Sequence, residues 1–144
     1  MILSAGDDWN MNSVNEIRVL IVDDFPQVRD GLSTVIDLVG KKVKPRIVIV
    51  GKARNGRDAF DQMNLLNPEV VLMDLEMPVV DGYAATQHIK STYPSTWVIA
   101  LTIHNDPASR SKAAQAGVDA FVEKGAPIEE LVQAIHMINR PSYY

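Results

Sequence analysis

Three aspartates, a threonine and a lysine stand out because each lies at the end of a short apolar run. Asp23 and Asp24 follow the first run, Asp74 follows the third, Thr102 ends the fourth, and Lys124 lies just past the fifth. If these runs are parallel strands, their carboxyl ends meet at one edge of a sheet, where open α/β sheets bind ligands. The sequence therefore predicts a polar site at that edge.

The residue types at this edge suggest phosphoryl chemistry around a metal ion. Three carboxylates in one place repel one another, so a positive charge is expected among them. Oxygen-only ligation favours a hard cation, and a shallow site suits Mg²⁺, with Mn²⁺ as the alternative. The metal and the Lys124 ammonium could flank a phosphoryl group while the Thr102 hydroxyl donates to it. Asp74 is the best candidate nucleophile, because carboxylates can form aspartyl phosphates.

Each residue also has an ordinary structural interpretation. A paired Asp-Asp after a strand is more often a turn and helix cap than a metal site, and Asp74 alone fits a turn. Lys124 would usually be a surface lysine, and Thr102 a strand-end residue with a capping hydroxyl. The predicted convergence of all of them on one edge favours the functional interpretation.

Five short apolar runs must position these residues. They alternate with segments of helical spacing, and strands that are apolar throughout need helices on both faces. The sequence therefore predicts a doubly wound α/β fold with a five-stranded parallel sheet. The predicted strands are Ile17 to Val22, Ile47 to Val50, Val70 to Met73, Trp97 to Leu101, and Ala120 to Val122.

Proline, glycine and short polar residues mark the predicted helix boundaries. Pro26 is placed to open the first helix, and Gly40 to close it in the left-handed conformation. The other predicted boundaries are Asn55 as cap of the second helix, Asp106 and Pro107 at the start of the fourth, Gly117 after its end, and Pro127 at the start of the fifth. The fifth helix carries an apolar stripe of Ile128, Leu131, Val132, Ile135 and Ile138. Met137 falls outside that stripe and is a candidate contact for a partner or a second copy.

Composition excludes several classes of protein. The 144 residues carry a formal net charge of −4 and include no cysteine, which argues against nucleic-acid binding, disulfide scaffolds, zinc ribbons and thiol catalysis. No apolar run approaches the roughly 20 residues that span a bilayer. We expect one soluble, cytoplasmic domain at residues 17–140, with a mobile leader at 1–16. Residues 141–144 would form a tail or the start of a linker.

Several motifs together resemble the receiver domain of bacterial response regulators, the CheY-like fold. They are Val19 to Asp24, the stretch Met73 to Gly82 with the sequence Met-Asp-Leu-Glu-Met-Pro-Val-Val-Asp-Gly, Ala100 to Thr102, and Phe121 to Lys124. The second stretch is highly specific, and the resemblance covers about Ile17 to Asn139. It implies the strand order 2-1-3-4-5, which periodicity does not show.

The resemblance assigns a role to each site residue. Asp74 would accept a phosphoryl group from the phosphohistidine of a sensor kinase or phosphotransfer protein. Asp23, Asp24, Asp74 and the backbone carbonyl of Glu76 would hold Mg²⁺, and Lys124 would pair with the phosphoryl oxygens. The chain would thus catalyse its own phosphorylation and dephosphorylation while turning over no metabolite.

A switch pair is also implied. In the family pattern the Thr102 hydroxyl moves to bond the phosphoryl group, and the Phe121 ring turns inward into the vacated space. An ordinary core aromatic is the structural alternative for Phe121. Glu76 and His104 are expected to lie near the site and to tune phosphate lifetime, in a direction that the sequence does not determine.

The stretch Lys124-Gly125-Ala126-Pro127 departs from the frequent Lys-Pro of the family and is closer to receivers of the LuxR/NarL type. Such regulators carry a helix-turn-helix output domain after the receiver. The chain is therefore either a single-domain regulator or, as we expect from the subtype, the receiver part of a longer, transcriptional regulator. The chain itself would contact neither DNA nor a membrane. The resemblance implies that the face made by the fourth helix, fifth strand and fifth helix passes the signal to the output partner and forms the contact of a homodimer.

Three other functions are compatible with part of this pattern. A pseudo-receiver would keep the fold for protein docking without accepting phosphate, but Asp74, Thr102 and Lys124 are all present. A haloacid-dehalogenase-like phosphatase needs Asp-x-Asp after the first strand rather than the adjacent Asp23-Asp24. A flavodoxin needs a phosphate-binding first loop, where these two carboxylates would repel a phosphate.

Overall fold

A computed structural model describes residues 16–77 and 80–138; the predicted leader, apart from Glu16, and the predicted tail lie outside them. The strands are β1 (Glu16–Val22), β2 (Arg46–Ala53), β3 (Val70–Asp74), β4 (Trp97–Thr102) and β5 (Ala120–Glu123). The helices are α1 (Pro26–Gly40), α2 (Gly56–Leu66), α3 (Gly82–Thr92), α4 (Pro107–Ala116) and α5 (Ile128–Ile138). β1 thus begins one residue before the predicted start, because Glu16 pairs with Arg46 across the sheet.

The five strands form one parallel sheet in the order β2-β1-β3-β4-β5, which confirms the predicted fold and strand order. Val22 lies opposite Met73, so the carboxyl ends of β1 and β3 are neighbours. Asp74 lies opposite Leu101, which brings the end of β4 beside them. Strand order reverses between β1 and β3, and the ligand-binding crevice of this architecture lies at that reversal.

Two apolar cores sandwich the sheet, one on each face. Leu20 and Met73 pack on the face covered by α2, α3 and α4, whereas Ile21 and Leu72 pack on the face covered by α1 and α5. All of β3 is buried, which places it at the centre of the molecule and makes the Asp74 at its end a fully buried carboxylate. Among the helices in the described part of the chain, none has the length and apolar character to cross a membrane.

Most predicted helix boundaries are confirmed. The Asn55 side chain accepts a hydrogen bond from the backbone N–H of Asp58, at 2.7 Å. Asp106 caps α4 by accepting from Ser109 N–H at 3.1 Å, and Gly117 ends that helix with a φ of 103°, a conformation that favours glycine.

The start of α5 differs by one residue from the prediction. The helix begins at Ile128, and the carbonyl of Pro127 accepts a hydrogen bond from Glu130 N–H at 2.9 Å. The predicted stripe is confirmed: Leu131, Val132 and Ile135 are buried, and Ile128 and Ile138 pack beside them. Met137 is 62% exposed, and its contact with a partner stays a prediction.

The predicted left-handed conformation at Gly40 is wrong. Gly40 is the last residue of α1, and the following Lys41 is right-handed with a φ of −69°. Glycine is required there for a different reason, because a Cβ at this position would lie 2.5 Å from the carbonyl oxygen of Ile47. The constraint comes from a residue on β2, so helix-end chemistry could not reveal it.

A pair of glycine substitutions in α1 tests this explanation. Gly40→Ala is expected to destabilise the fold by about 2 kcal/mol, the usual cost of inserting a methyl group into a packed site. Gly31→Ala, in the same helix, meets no atom within 4 Å and is expected to stabilise it by about 0.5 kcal/mol, because alanine loses less conformational freedom. Urea unfolding of both variants measures the difference, and equal stabilities would contradict the close approach of Gly40 and Ile47.

Candidate functional site

Three aspartates converge at the carboxyl edge of the sheet, as predicted. One carboxylate oxygen from each of Asp23, Asp24 and Asp74 lies within 4.8 Å of the others. Asp23 is 1% exposed and Asp74 is 0% exposed, whereas Asp24 is partly exposed. The site is therefore a small acidic crevice whose deeper members are removed from solvent.

Local backbone contacts orient the two buried carboxylates. The Phe25 N–H donates to Asp23 Oδ1 at 2.9 Å, and the Glu76 N–H donates to Asp74 Oδ1 at 3.1 Å. The Arg29 guanidinium donates to the backbone carbonyl of Asp23 at 2.8 Å and so ties the first turn of α1 to the strand end. Each aspartate thus uses one oxygen to close a tight turn, which leaves the other oxygen for the crevice.

Lys124 supplies the positive charge of the crevice. Its Nζ lies 3.0 Å from Asp74 Oδ1 and 3.2 Å from Asp23 Oδ2. Its backbone N–H donates to the carbonyl of Thr102 at 2.8 Å, which fixes the residue beside the end of β4. The Lys124–Gly125 bond is trans, and Gly125 turns the chain with a φ of 88°.

Burial and charge shift the pKa values of this pair. Burial raises the pKa of Asp74 from 3.8 to about 6, the nearby Asp23 adds to the rise, and Lys124 opposes it. Burial alone would lower the pKa of Lys124, but its hydrogen bond and attraction to Asp74 outweigh that effect, so the pKa is raised. The Lys124 ammonium therefore stays charged at neutral pH. The negative charge of Asp74 lowers the stability of the folded state because it is buried.

The acidic crevice suits a hard divalent cation. Asp24 Oδ1 and Asp74 Oδ2 are buried oxygens without a hydrogen-bond partner, and Asp23 Oδ2 has only the contact with Lys124. Unpartnered buried carboxylate oxygens are costly, and cations such as Mg²⁺ take this kind of ligand. The donor set therefore fits the predicted metal.

The start of α3 lies against the end of β3. Asp81 caps α3 by accepting a hydrogen bond from Ala84 N–H at 2.8 Å, and Gly82 follows as the first residue of the helix. A Cβ at Gly82 would collide with the backbone carbonyl of Asp74. The Asp81-Gly82 pair therefore allows α3 to begin directly against the end of β3.

The two predicted switch residues lie on neighbouring strands, Thr102 at the end of β4 and Phe121 on β5. The buried Thr102 hydroxyl donates to the Glu76 carboxylate, at 2.9 Å from Oε1 and 2.8 Å from Oε2, and accepts from His104 N–H. Phe121 is half-buried, with the Arg110 guanidinium carbon 4.6 Å from its ring centroid.

Sequence reasoning missed two of these contacts. It placed Glu76 near the site and gave its backbone carbonyl a role in metal binding, but it did not predict the side-chain contact with Thr102, and it gave Arg110 no role at all. For the Glu76–Thr102 contact the missing signal is the β3–β4 register, with Asp74 opposite Leu101, because it brings the residues just past each strand end side by side. Periodicity alone does not show which strands are neighbours.

Comparison with known proteins supports the expected family. A sequence model described as the response regulator receiver domain matches residues 19–136. The chain is 36% identical to the response regulator GacA of Pseudomonas viridiflava over 123 residues, which are 85% of this chain and 55% of that protein. It is 37% identical to the response regulator UvrY of Escherichia coli, covering 85% and 54%. The chain thus spans about half the length of these relatives.

Solved structures show the same similarity. A LuxR-family DNA-binding response regulator from Staphylococcus aureus is 31% identical, with a TM-score of 0.77 over 86% of this chain and 99% of that one. The receiver domain of the response regulator NarL from Mycobacterium tuberculosis is 29% identical, with a TM-score of 0.78 over 87% and 98%.

Proposed function

Because this chain belongs to the response regulator receiver domain family of two-component systems, we propose that it accepts a phosphoryl group on Asp74 in a Mg²⁺-dependent reaction. The observation that carries the proposal is the crevice itself, which sets a buried carboxylate with a free oxygen beside a lysine and two further aspartates. Phosphoryl transfer asks a protein mainly for position and charge neutralisation, and these residues can supply both.

In the proposed reaction an Asp74 carboxylate oxygen attacks the phosphorus of a phosphohistidine. A P–O bond forms, the P–N bond breaks, and the bonding electron pair stays on the imidazole nitrogen. Lys124, now paired with Asp74, would pair with a phosphoryl oxygen as negative charge builds up there. The Thr102 hydroxyl would donate to a second phosphoryl oxygen, and the Phe121 ring would follow it inward.

Asp23, Asp24 and Asp74, together with the backbone carbonyl of Glu76, would hold the Mg²⁺, or Mn²⁺ in its place. When bound, the ion would neutralise charge on the carboxylates and on the phosphoryl oxygens. The Asp23 carboxylate is held by a hydrogen bond from the Phe25 N–H in the turn after β1. It would therefore be a preorganised ligand of the site.

A groove next to Lys124 would accommodate the phosphodonor. It lies between α1 and α5 with a volume of about 420 Å³, and its apolar lining includes Val28, Val35 and Ile128. Val28 is 43% exposed and Val35 is 41% exposed, so an apolar helix of a sensor kinase or phosphotransfer protein could bury both. Because the groove reaches Lys124, such a partner would bring its phosphohistidine to the crevice.

The proposed output is a conformational change that controls a DNA-binding domain or another partner, as in a transcriptional regulator acting in the cytoplasm. A partner that senses this change, and a second copy of the chain in a homodimer, would both bind the face formed by α4, β5 and α5. Arg110 on α4 covers the Phe121 ring of β5 on that face. An inward turn of Phe121 would therefore change the surface that a partner meets.

Intact-mass measurement after incubation with acetyl phosphate tests this function. We expect wild type to gain the mass of one phosphoryl group with Mg²⁺ and none with EDTA, and Asp74→Asn to gain none in either condition. Peptide mapping should locate the adduct on Asp74. A wild type that forms no adduct and does not bind beryllofluoride would instead indicate the docking-only pseudo-receiver.

A further inference from the structure

The Thr102 hydroxyl is already fully engaged in this structure. Its oxygen lies 2.9 and 2.8 Å from the two carboxylate oxygens of Glu76 and accepts a third contact, at 2.9 Å, from His104 N–H. Thr102 is 0% exposed, so bulk solvent does not reach its hydroxyl. A hydroxyl carries one proton to donate, and here that proton is directed to Glu76.

The Glu76 carboxylate is a strong competitor for this proton. A hydrogen bond to an ionised acceptor is stronger than one between neutral groups. The Ile103 N–H lies 3.4 Å from Glu76 Oε1 and adds a weaker contact on the same side. The carboxylate also helps to raise the pKa of Tyr83, after the larger effect of burial. Its negative charge thus reaches Tyr83 in the first turn of α3.

We propose that Glu76 is a positioning residue that holds the Thr102 hydroxyl away from the phosphoryl site and so stabilises the unswitched state. The inference rests on the proposed function, because it concerns the hydroxyl that would bond the phosphoryl group. Binding of a phosphoryl group then requires Thr102 to exchange one anionic acceptor for another. The cost of breaking the Glu76 contact lowers the apparent affinity of the site, because only the released state is competent to bind.

This role differs from electrostatic repulsion alone. Repulsion between the Glu76 carboxylate and a phosphoryl group would act whether or not residue 102 has a hydroxyl. A Glu76 contact that holds the hydroxyl away from the phosphoryl site can weaken binding only when residue 102 has a hydroxyl. The two explanations therefore separate in a double-mutant cycle between Glu76 and Thr102.

Beryllofluoride titration in the presence of Mg²⁺, followed by NMR of the Thr102 and Lys124 amides, measures the effect without covalent chemistry. We expect Glu76→Ala to bind beryllofluoride about tenfold more tightly than wild type, as for loss of one charge-assisted hydrogen bond. Glu76→Gln should give a smaller gain, because its amide oxygen still accepts a neutral hydrogen bond. Glu123→Gln removes one negative charge from an exposed residue next to Lys124 and serves as the matched control, with no more than a twofold change expected.

In a Thr102→Ala background, adding Glu76→Ala should change the affinity less than twofold, and in a Thr102→Ser background most of the gain should return. An equal gain in the Thr102→Ala background, or no gain from Glu76→Ala in an otherwise native chain, would overturn the inference while leaving the proposed function intact. A wild type that neither binds beryllofluoride nor forms an adduct would remove both. Thermal melts of every variant confirm that the comparison is between folded proteins.

Discussion

Asp74→Asn is expected to abolish the phosphoryl adduct and, in EDTA near neutral pH, to stabilise the fold by about 3 kcal/mol. The rise of the Asp74 pKa from 3.8 to about 6 corresponds to that energy. Burial is the main cause of the rise, and the neighbouring Asp23 carboxylate adds to it. Asparagine has a similar shape but no charge, so it removes this cost together with the nucleophile.

The gain from Asp74→Asn should depend on pH in a defined direction. The folded pKa lies above the unfolded pKa, so between about pH 4 and pH 6 the folded state binds more protons. The contribution of Asp74 to the free energy of unfolding of wild type therefore falls as pH rises through that window. The extra stability of Asp74→Asn over wild type should grow from near zero at about pH 4 to its full value above about pH 6.

Urea unfolding of both proteins in EDTA across this pH range measures the effect. Asp61→Asn, at a side chain that is 64% exposed, is the matched control and should change stability by less than about 0.5 kcal/mol. If Asp74→Asn were less stable than wild type at neutral pH, burial of the Asp74 charge would not cost folding free energy as we expect. Retention of the adduct would separately contradict Asp74 as the acceptor.

Lys124→Ala is expected to weaken beryllofluoride binding by about 100-fold, the order of loss found when one hydrogen-bond donor is removed from an oxyanion site. The Lys124 ammonium lies within 3.2 Å of oxygens from both buried aspartates and is well placed to neutralise an incoming anion. Lys124→Arg should recover only part of the affinity, because a planar guanidinium does not replace a compact ammonium at this distance.

Lys124→Ala should destabilise the fold, whereas Asp74→Asn should stabilise it. Removing Lys124 leaves Asp23 and Asp74 without their cation, and an uncompensated buried charge is destabilising. The pKa of Asp74 should rise further, because Lys124 is the main group that lowers it.

Calorimetric titration with beryllofluoride and urea unfolding measure the two effects of Lys124→Ala. Lys52→Ala removes a lysine whose ion pair with Asp30 is exposed and should affect neither by more than about 1 kcal/mol. If Lys124→Ala bound beryllofluoride as wild type does, the lysine would have no part in recognising the phosphoryl group.

Local sequence was enough to predict the elements and most of their ends. The apolar run of β3 identifies a buried strand without knowledge of its neighbours, and the Asn55 and Asp106 caps are contacts across only three residues. The left-handed Gly117 is likewise a property of one helix end. These contacts join residues that are close together in the chain, so the local order of residue types is enough to predict them.

The acidic crevice was predictable for a related reason. In a parallel sheet every strand ends at the same edge, so the polar residues that follow Val22 and Met73 must come near one another whatever the details of packing. The resemblance to receiver domains then supplied the strand order, which the apolar pattern alone left open. The convergence of Asp23, Asp24 and Asp74 confirms this expectation.

Short-range chemistry and a shared strand direction made the five strands, most helix ends and the set of charged groups at the sheet edge predictable from the order of residue types. The packing of distant segments, by contrast, explains why Gly40 is needed beside Ile47 and why the Thr102 hydroxyl donates to the Glu76 carboxylate. Both depend on which atoms of distant segments approach within about 3 Å. Such distances follow from the packing of the sheet as a whole, not from the identity or spacing of the residues involved.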